Sequence, residues 1–155
     1  MSAKPKPHKF EDTAYGMLLR DYRAKTNGNF ADVAAFHEKF GLLRPRSPRK
    51  LPLKVYAERF SFMLSEVIEF QEAYFAGDEV KQLDSLLDLV YVAMGTAVMA
   101  GYPWEECWAH VHAANMQKEL VRGKRDYKNG ITKPKGWQSP DMQIAVELGK
   151  ARRKK

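Results

Sequence analysis

From residue 10 onward the chain reads as blocks of helical periodicity separated by glycine and proline punctuation. Phe10, Ala14, Met17, Leu18 and Tyr22 recur at helical steps and predict a helix over about 10–25. Thr26-Asn27-Gly28-Asn29 is a stop signal. Phe30, Val33, Phe36 and Phe40 form one stripe of a second helix over about 30–40, which Gly41 ends. Pro45, Pro48 and Pro52 follow within LLRPRSPRKLP, which excludes a continuous helix and leaves an ordered surface connector. A long third helix is predicted from Leu53 to about Phe75. A fourth runs from about Glu79 to Ala100, with Gly77-Asp78 between them and Gly101 as its C-terminal cap. Leu83, Leu86, Leu87, Val90, Met94, Ala97 and Val98 give the fourth helix a continuous apolar stripe. Pro103 opens a fifth, to about Val121. After Gly123 the periodicity is lost in RGKRDYKNGITKPKGWQSPDM. No segment alternates with the period of a strand, and there is no internal repeat. The fold class is all-α, most simply an antiparallel bundle of four to five helices.

Two of these helices carry acids where such apolar segments should have none. Glu66 and Glu69 lie among Phe60, Phe62, Met63, Leu64, Val67, Ile68 and Phe70, and Asp84 and Asp88 interrupt the leucine-rich fourth helix. Residues three or four apart share a helical face, so each pair projects together. An exposed glutamate on a solvated face is the ordinary case. Here the helix is apolar almost all round, and buried acids need partners. If the two helices form a hairpin, the four carboxylates converge. Such a cluster repels itself unless protons, bases or cations neutralise it. Hard oxygen donors suit Mg²⁺ or Mn²⁺. At 100° per residue Asp84, Asp88 and Tyr91 lie on one flank of the apolar stripe, at the edge of a helix seam.

Composition changes this picture little. A chain of 155 residues, 45% of them hydrophobic, is expected to form one domain with a real core. The formal charge is +7, which at first suggests nucleic acid. Lys4, Lys6 and Lys9 at one end, and Lys150, Arg152, Arg153, Lys154 and Lys155 at the other, account for it. Residues 11–149 hold 18 basic and 19 acidic residues. The expected organisation is a flexible basic tail over 1–9, a domain over 10–141 and a basic C-terminal tail over 142–155. Specific nucleic-acid binding is not expected. No uninterrupted apolar run reaches the roughly 18 residues of a membrane span, and no apolar signal core follows the basic N-terminus. The expectation is a soluble cytoplasmic protein. Cys107, the single cysteine, reads as a packing residue.

Asn115 and Lys118, three apart, read equally as a surface pair or as an amide and an ammonium for a phosphate-bearing ligand. His37, His110 and His112 fall in no zinc pattern. There is no glycine-rich phosphate loop and no nucleophile elbow. Trp137 is out of place in a solvated tail. It either plugs the bundle or covers a ligand.

Glu66-Val-Ile-Glu69, followed on the next helix by Asp88 in LLDLVYVAMGTAV, resembles the paired acid motifs of the all-α nucleoside triphosphate pyrophosphatases: the MazG-like, phosphoribosyl-ATP pyrophosphohydrolase-like and dimeric dUTPase-like enzymes. AFHEKFG (Ala35 to Gly41), AANMQK (Ala113 to Lys118) and KPKGW-x-x-PD (Lys133 to Asp141) extend the resemblance over about 30–141, to a form common in bacteriophage genomes. The family has E-x-x-D on the second helix. Here Ser85 stands where its Glu would be, and the neighbouring Asp84 is positioned to supply the missing carboxylate.

The resemblance implies metal-dependent hydrolysis of a (d)NTP between its α and β phosphates, to monophosphate and pyrophosphate, in phage-type control of deoxynucleotide pools. Glu66 and Glu69 would hold Mg²⁺ or Mn²⁺ and supply the base, and Asp88 with Asp84 would complete the coordination. Asn115 and Lys118 would hold sugar or phosphates. Tyr91 would line the pocket, Lys133 and Trp137 would close as a lid, and His37 would reach the base. It also implies a homodimer or homotetramer, in the host cytoplasm if phage-encoded. Rival readings are phosphoribosyl-ATP hydrolysis, and a non-catalytic nucleotide- or nucleic-acid-binding helical module, which Ser85 favours.

Overall fold

The computed structural model describes residues 28–42, 44–120 and 130–154. The helix expected over 10–25 and the tail over 1–9 lie outside them. Among the described residues the order is α1 (Asn29–Lys39), α2 (Leu53–Ala76), α3 (Glu79–Ala100), α4 (Trp104–Met116), β1 (Glu119–Leu120), β2 (Ile131–Thr132) and α5 (Asp141–Arg153). The all-α class holds, with five described helices and a minimal antiparallel ribbon in which Glu119 faces Thr132 and Leu120 faces Ile131. Strands of two residues are too short to show an alternating pattern.

The helix ends fall where the punctuation put them. Proline 52 precedes α2, whose Tyr56 N–H donates to the Pro52 carbonyl at 2.9 Å. Gly77 ends α2 at φ 70°, a conformation glycine adopts without strain. Asp78 then caps α3, its carboxylate accepting the Lys81 N–H at 3.0 Å. With so tight a turn, α2 and α3 fold back as an antiparallel hairpin packed along its length. The connector between α1 and α2 is pinned to the far end of α3. Arg49 N–H donates to the Ala100 carbonyl at 2.9 Å. A Cβ at Gly101 would lie 2.9 Å from the Ser47 carbonyl oxygen, so only glycine fits there.

Sidedness is where the expectation fails. The core proper is small: Val33 and Ala34 of α1 against Val98 of α3, with Phe30 and Met94 packed on it. The α2–α3 seam closes over Ala73, Ser85 and Gly95, residues small enough for close helix approach. The leucine stripe of α3 is left outside: Leu83 is 59% exposed, Leu87 61% and Val80 80%. On α2, Leu53, Phe60, Val67 and Phe75 are also exposed. Among the described residues no further element lies on these faces. By length and composition α3 is also apolar enough for a bilayer span, with a mean hydropathy of 1.5 over its best window. One such helix is weak grounds for a membrane, and its packing on α1 and α2 marks a bundle helix.

Two boundaries differ from expectation. The fifth predicted helix stops at Met116, not near Val121, because the Gln117 side chain turns back to donate to the Ala113 carbonyl at 3.2 Å. Residues 142–153, expected to be tail, are helical. Their α5 docks on α4, with Ile144 and Leu148 half-buried and Glu147 held between Lys150 at 2.7 Å and His110 at 3.6 Å. Counting charges in this segment hid the apolar residues recurring at helical steps within it.

Candidate functional site

The hairpin carries the acids toward its turn end. Glu66 and Glu69 are a turn apart on α2, and Asp84 and Asp88 a turn apart on α3. Glu66 is half-buried at the seam, whereas Glu69, Asp84 and Asp88 are exposed. Burial raises the Glu66 carboxyl above the usual carboxylate range, and the charges of Glu69, Asp88 and Asp84 raise it further, in that order. All four predicted acids therefore act on one neighbourhood. They do not form a finished coordination shell. Among the described residues no three Asp, Glu, His or Cys side chains are grouped closely enough to hold an ion.

A cleft of about 320 Å³ opens beside them, lined by Ala73, Ala76 and Ser85, by the acids Glu69, Glu72, Asp78 and Asp84, and by the ammonium of Lys81. Glu72 is the acid that sequence reasoning missed. Its signal was present, since it continues the three-residue step from Glu66 and Glu69. Ser85 is 5% exposed and donates its hydroxyl to the Lys81 carbonyl at 2.9 Å. It is thus spent on its own helix, while Asp84 beside it reaches the cleft.

Tyr91 faces the other way. It lines a cavity of about 520 Å³ with Asn29, Asp32, Leu87 and Met94, between α1 and α3. Its ring meets Phe36 edge-on at 5.6 Å, and burial, then the charge of Asp32, raises its hydroxyl above the usual range. Asp88 lies one turn from Tyr91, between cleft and cavity along α3.

His37 is not placed to read a base. It is 2% exposed and packs on Gly95, where an added Cβ would lie 2.8 Å from Nε2. Burial, then Arg59 and Arg44, lower its pKa and keep the ring neutral. Its Nδ1 is buried without a hydrogen-bond partner. Arg59, also against Gly95, donates to the Thr96 hydroxyl at 3.1 Å and the Val92 carbonyl at 2.7 Å. The role that the resemblance implied for His37, reaching the base, meets a ring packed inside the chain.

Asn115, Lys118, Lys133 and Trp137 gather around the C-terminal end of α4. The Lys118 N–H donates to the Asn115 carbonyl at 3.1 Å, past the last helical turn. Lys133 Nζ sits 4.2 Å above the Trp137 ring, and Trp137 Nε1–H donates to the Ala114 carbonyl at 2.8 Å. Trp137 is thus the pin that holds its loop to α4. No hydrogen bond or ion pair among the described residues joins this group to the acids on the hairpin.

A family model described as phosphoribosyl-ATP pyrophosphohydrolase matches residues 33–115, just over half of the chain. The chain belongs to that family. It is one branch of the MazG-like NTP pyrophosphatase superfamily, and the chain is accordingly a pyrophosphohydrolase, a hydrolase acting on acid anhydrides. The matched span holds α1 from Val33 on, the whole acidic hairpin and α4 as far as Asn115. Lys118, Lys133 and Trp137 fall beyond it. No curated protein matches the chain.

Proposed function

We propose that this pyrophosphohydrolase cleaves a nucleoside triphosphate between its α and β phosphates, releasing monophosphate and pyrophosphate. The supporting observation is Glu66: a half-buried carboxyl on α2, raised by burial first and then by Glu69 and by two aspartates across the hairpin. Repulsion of this kind is relieved by cations. The donor set is oxygen only, which fits Mg²⁺ or Mn²⁺ held by Glu66, Glu69, Asp84 and Asp88. Such an ion, when bound, neutralises phosphate oxygens and acidifies water. MazG-like pyrophosphohydrolases generally use divalent metals.

The protein's own part is positioning and proton transfer. Water adds to the α-phosphorus, the bond from that phosphorus to the bridging oxygen breaks, and pyrophosphate leaves. Glu66 or Glu69 takes the water's proton. Glu69 and Glu72 keep the cleft anionic on the α2 side. The cavity at Tyr91, Asn29 and Asp32 has room for a nucleoside beside Asp88. Lys118 and Lys133 supply the cations that a triphosphate requires, and Asn115 an amide for its sugar.

These pieces come from surfaces that lie apart among the described residues of one chain. The exposed faces of α2 and α3 supply the reason to bring them together. Each fully buried Leu, Val or Phe is worth about 1.5–3 kcal/mol, so covering even four of them favours pairing of hairpins by several kcal/mol. The proposed working form is a homodimer or dimer of dimers, in which hairpins pack face to face.

The substrate class proposed is deoxynucleoside triphosphates, in phage-type pool control. Its support is the likeness of the Ala113–Lys118 and Lys133–Asp141 segments to the phage form. Phosphoribosyl-ATP is the second reading, favoured by the description of the matching family. Pyrophosphate release across the eight common NTPs and dNTPs and phosphoribosyl-ATP, with Mg²⁺ or Mn²⁺ and Glu66→Gln as blank, separates the two.

A further inference from the structure

Charge is spread unevenly along the folded body. Residues 39–57 hold Lys39, Arg44, Arg46, Arg49, Lys50 and Lys54, six of the eighteen basic residues of 11–149, and none of its nineteen acids. They fall on the last residue of α1, the connector and the first turn of α2. The acids Glu66, Glu69, Glu72, Asp78 and Asp84 lie toward the turn of the hairpin instead. With 24 residues α2 spans about 36 Å, which holds the two charges apart.

Part of the basic charge is already engaged. Arg44 pairs with Glu38 at 3.0 Å, Lys54 approaches Glu58 at 4.0 Å, and Lys39 lies over the Phe40 ring. Arg46, Arg49 and Lys50 are exposed and make no ion pair among the described residues. Their backbone, by contrast, is braced. Pro45 and Pro48 restrict the chain, Pro48 is buried, and the Arg49 N–H donates to the Ala100 carbonyl at 2.9 Å. The Pro45 carbonyl oxygen and Cγ each lie 3.0 Å from the point a Cβ on Gly101 would occupy. Three free cations thus stand on a fixed loop, within at most about 18 Å of extended chain. Holding them against a ligand costs less conformational entropy than ordering a loose tail.

A row of phosphates matches this display best. Duplex DNA carries one negative charge per about 1.7 Å of its axis, whereas an extended acidic peptide offers one per about 3.3–3.6 Å. Guanidinium forks also fit phosphate oxygens in pairs. A bilayer surface is a poorer match, because Arg44 to Lys50 holds no apolar side chain except proline to enter it. We infer that the connector, through Arg46, Arg49 and Lys50, is a docking site for the phosphate backbone of duplex nucleic acid, independent of base sequence. The duplex repels the acidic end of the hairpin, which therefore points away from it. The basic end of α5 is not equivalent. Gln143 shares a cavity with Ala114 and Glu147 meets His110, so α5 runs antiparallel to α4. Its Arg152 and Arg153 come toward Glu105 and Glu106, in the first turn of α4. The inference rests on neither the proposed reaction nor a metal.

Fluorescence anisotropy of a short labelled DNA duplex, titrated with the full chain in metal-free buffer at several salt concentrations, tests it. Three phosphate contacts contribute about −2.7 to the slope of log K on log salt, a loss of about fortyfold between 50 and 200 mM. The combined variant Arg46→Gln, Arg49→Gln and Lys50→Gln is expected to remove that share of the slope and to weaken binding at least tenfold at the lower salt, with Tm unchanged. Lys50→Gln alone removes about 0.9 of the slope. Arg152→Gln with Arg153→Gln costs less than threefold, and a duplex of unrelated sequence binds equally. Absence of binding at the lower salt, a slope that the connector variants leave unchanged, a larger loss from the α5 pair, or polyglutamate competing as well as DNA at equal charge overturns the inference.

Discussion

Gly95→Ala sets two effects against each other at the His37 contact. In a helix interior the change gains about 1 kcal/mol from helix propensity. Here the new methyl would sit 2.8 Å from His37 Nε2 and 3.0 Å from Arg59 Nη2. Neither neighbour yields freely. His37 is a ring buried within α1, and Arg59 Nη2 is tied to the Val92 carbonyl at 2.7 Å. Overpacking of this kind costs about 1–3 kcal/mol, so the net is a loss of about 1 kcal/mol. For a chain of this size that lowers Tm by about 2–4 °C. Thermal unfolding followed by circular dichroism reads it directly. In a His37→Ala background the clash is largely gone, and Gly95→Ala should turn stabilising, a coupling that a double-mutant cycle isolates. A Tm that rises in the wild-type background would refute the packing of His37 on Gly95.

Three further outcomes follow from the geometry. His37 has a folded pKa below its ordinary value near 6.5, so the unfolded chain takes up the proton first. Its contribution is full above about pH 6.5 and is lost as pH falls toward the folded pKa; His37→Gln should flatten that part of the stability curve. Glu66 has the opposite sign: its carboxyl is raised in the folded chain, so metal-free stability falls as pH rises through its titration. Glu66→Gln should therefore raise the Tm of the EDTA-treated protein at pH 7 and remove the further Tm gain on adding Mg²⁺ or Mn²⁺. Leu87→Lys, on the exposed stripe of α3, should lower the molar mass seen by light scattering to that of one chain without unfolding it.

Much of the hairpin was legible because its limits are set by local chemistry. Pro52, Gly77, Asp78 and Gly101 act through their own backbone preferences, and the helix bounds follow. The pairing of Glu66 and Glu69 with Asp84 and Asp88 needed only helical spacing and a short turn. Sidedness was a different matter. Periodicity shows that Leu83 and Leu87 share a stripe, but not whether that stripe meets its own chain. The small residues Ala73, Ser85 and Gly95 took the seam instead. The burial of His37 was not legible either, since a buried and an accessible histidine look alike in a helical sequence. Helix α5 was hidden by its charges, and Trp137 proved to be the anchor of its loop, held by one hydrogen bond to Ala114.

The most direct test of the account is pyrophosphate release from dNTPs by wild type, Glu66→Gln and Asp88→Asn, with Mg²⁺ or Mn²⁺ and with EDTA. The account predicts metal-dependent release that falls by at least a hundredfold in both variants, with monophosphate as the other product. Release that persists in EDTA, or that survives loss of either carboxylate, would contradict the assignment of the reaction to the acidic hairpin.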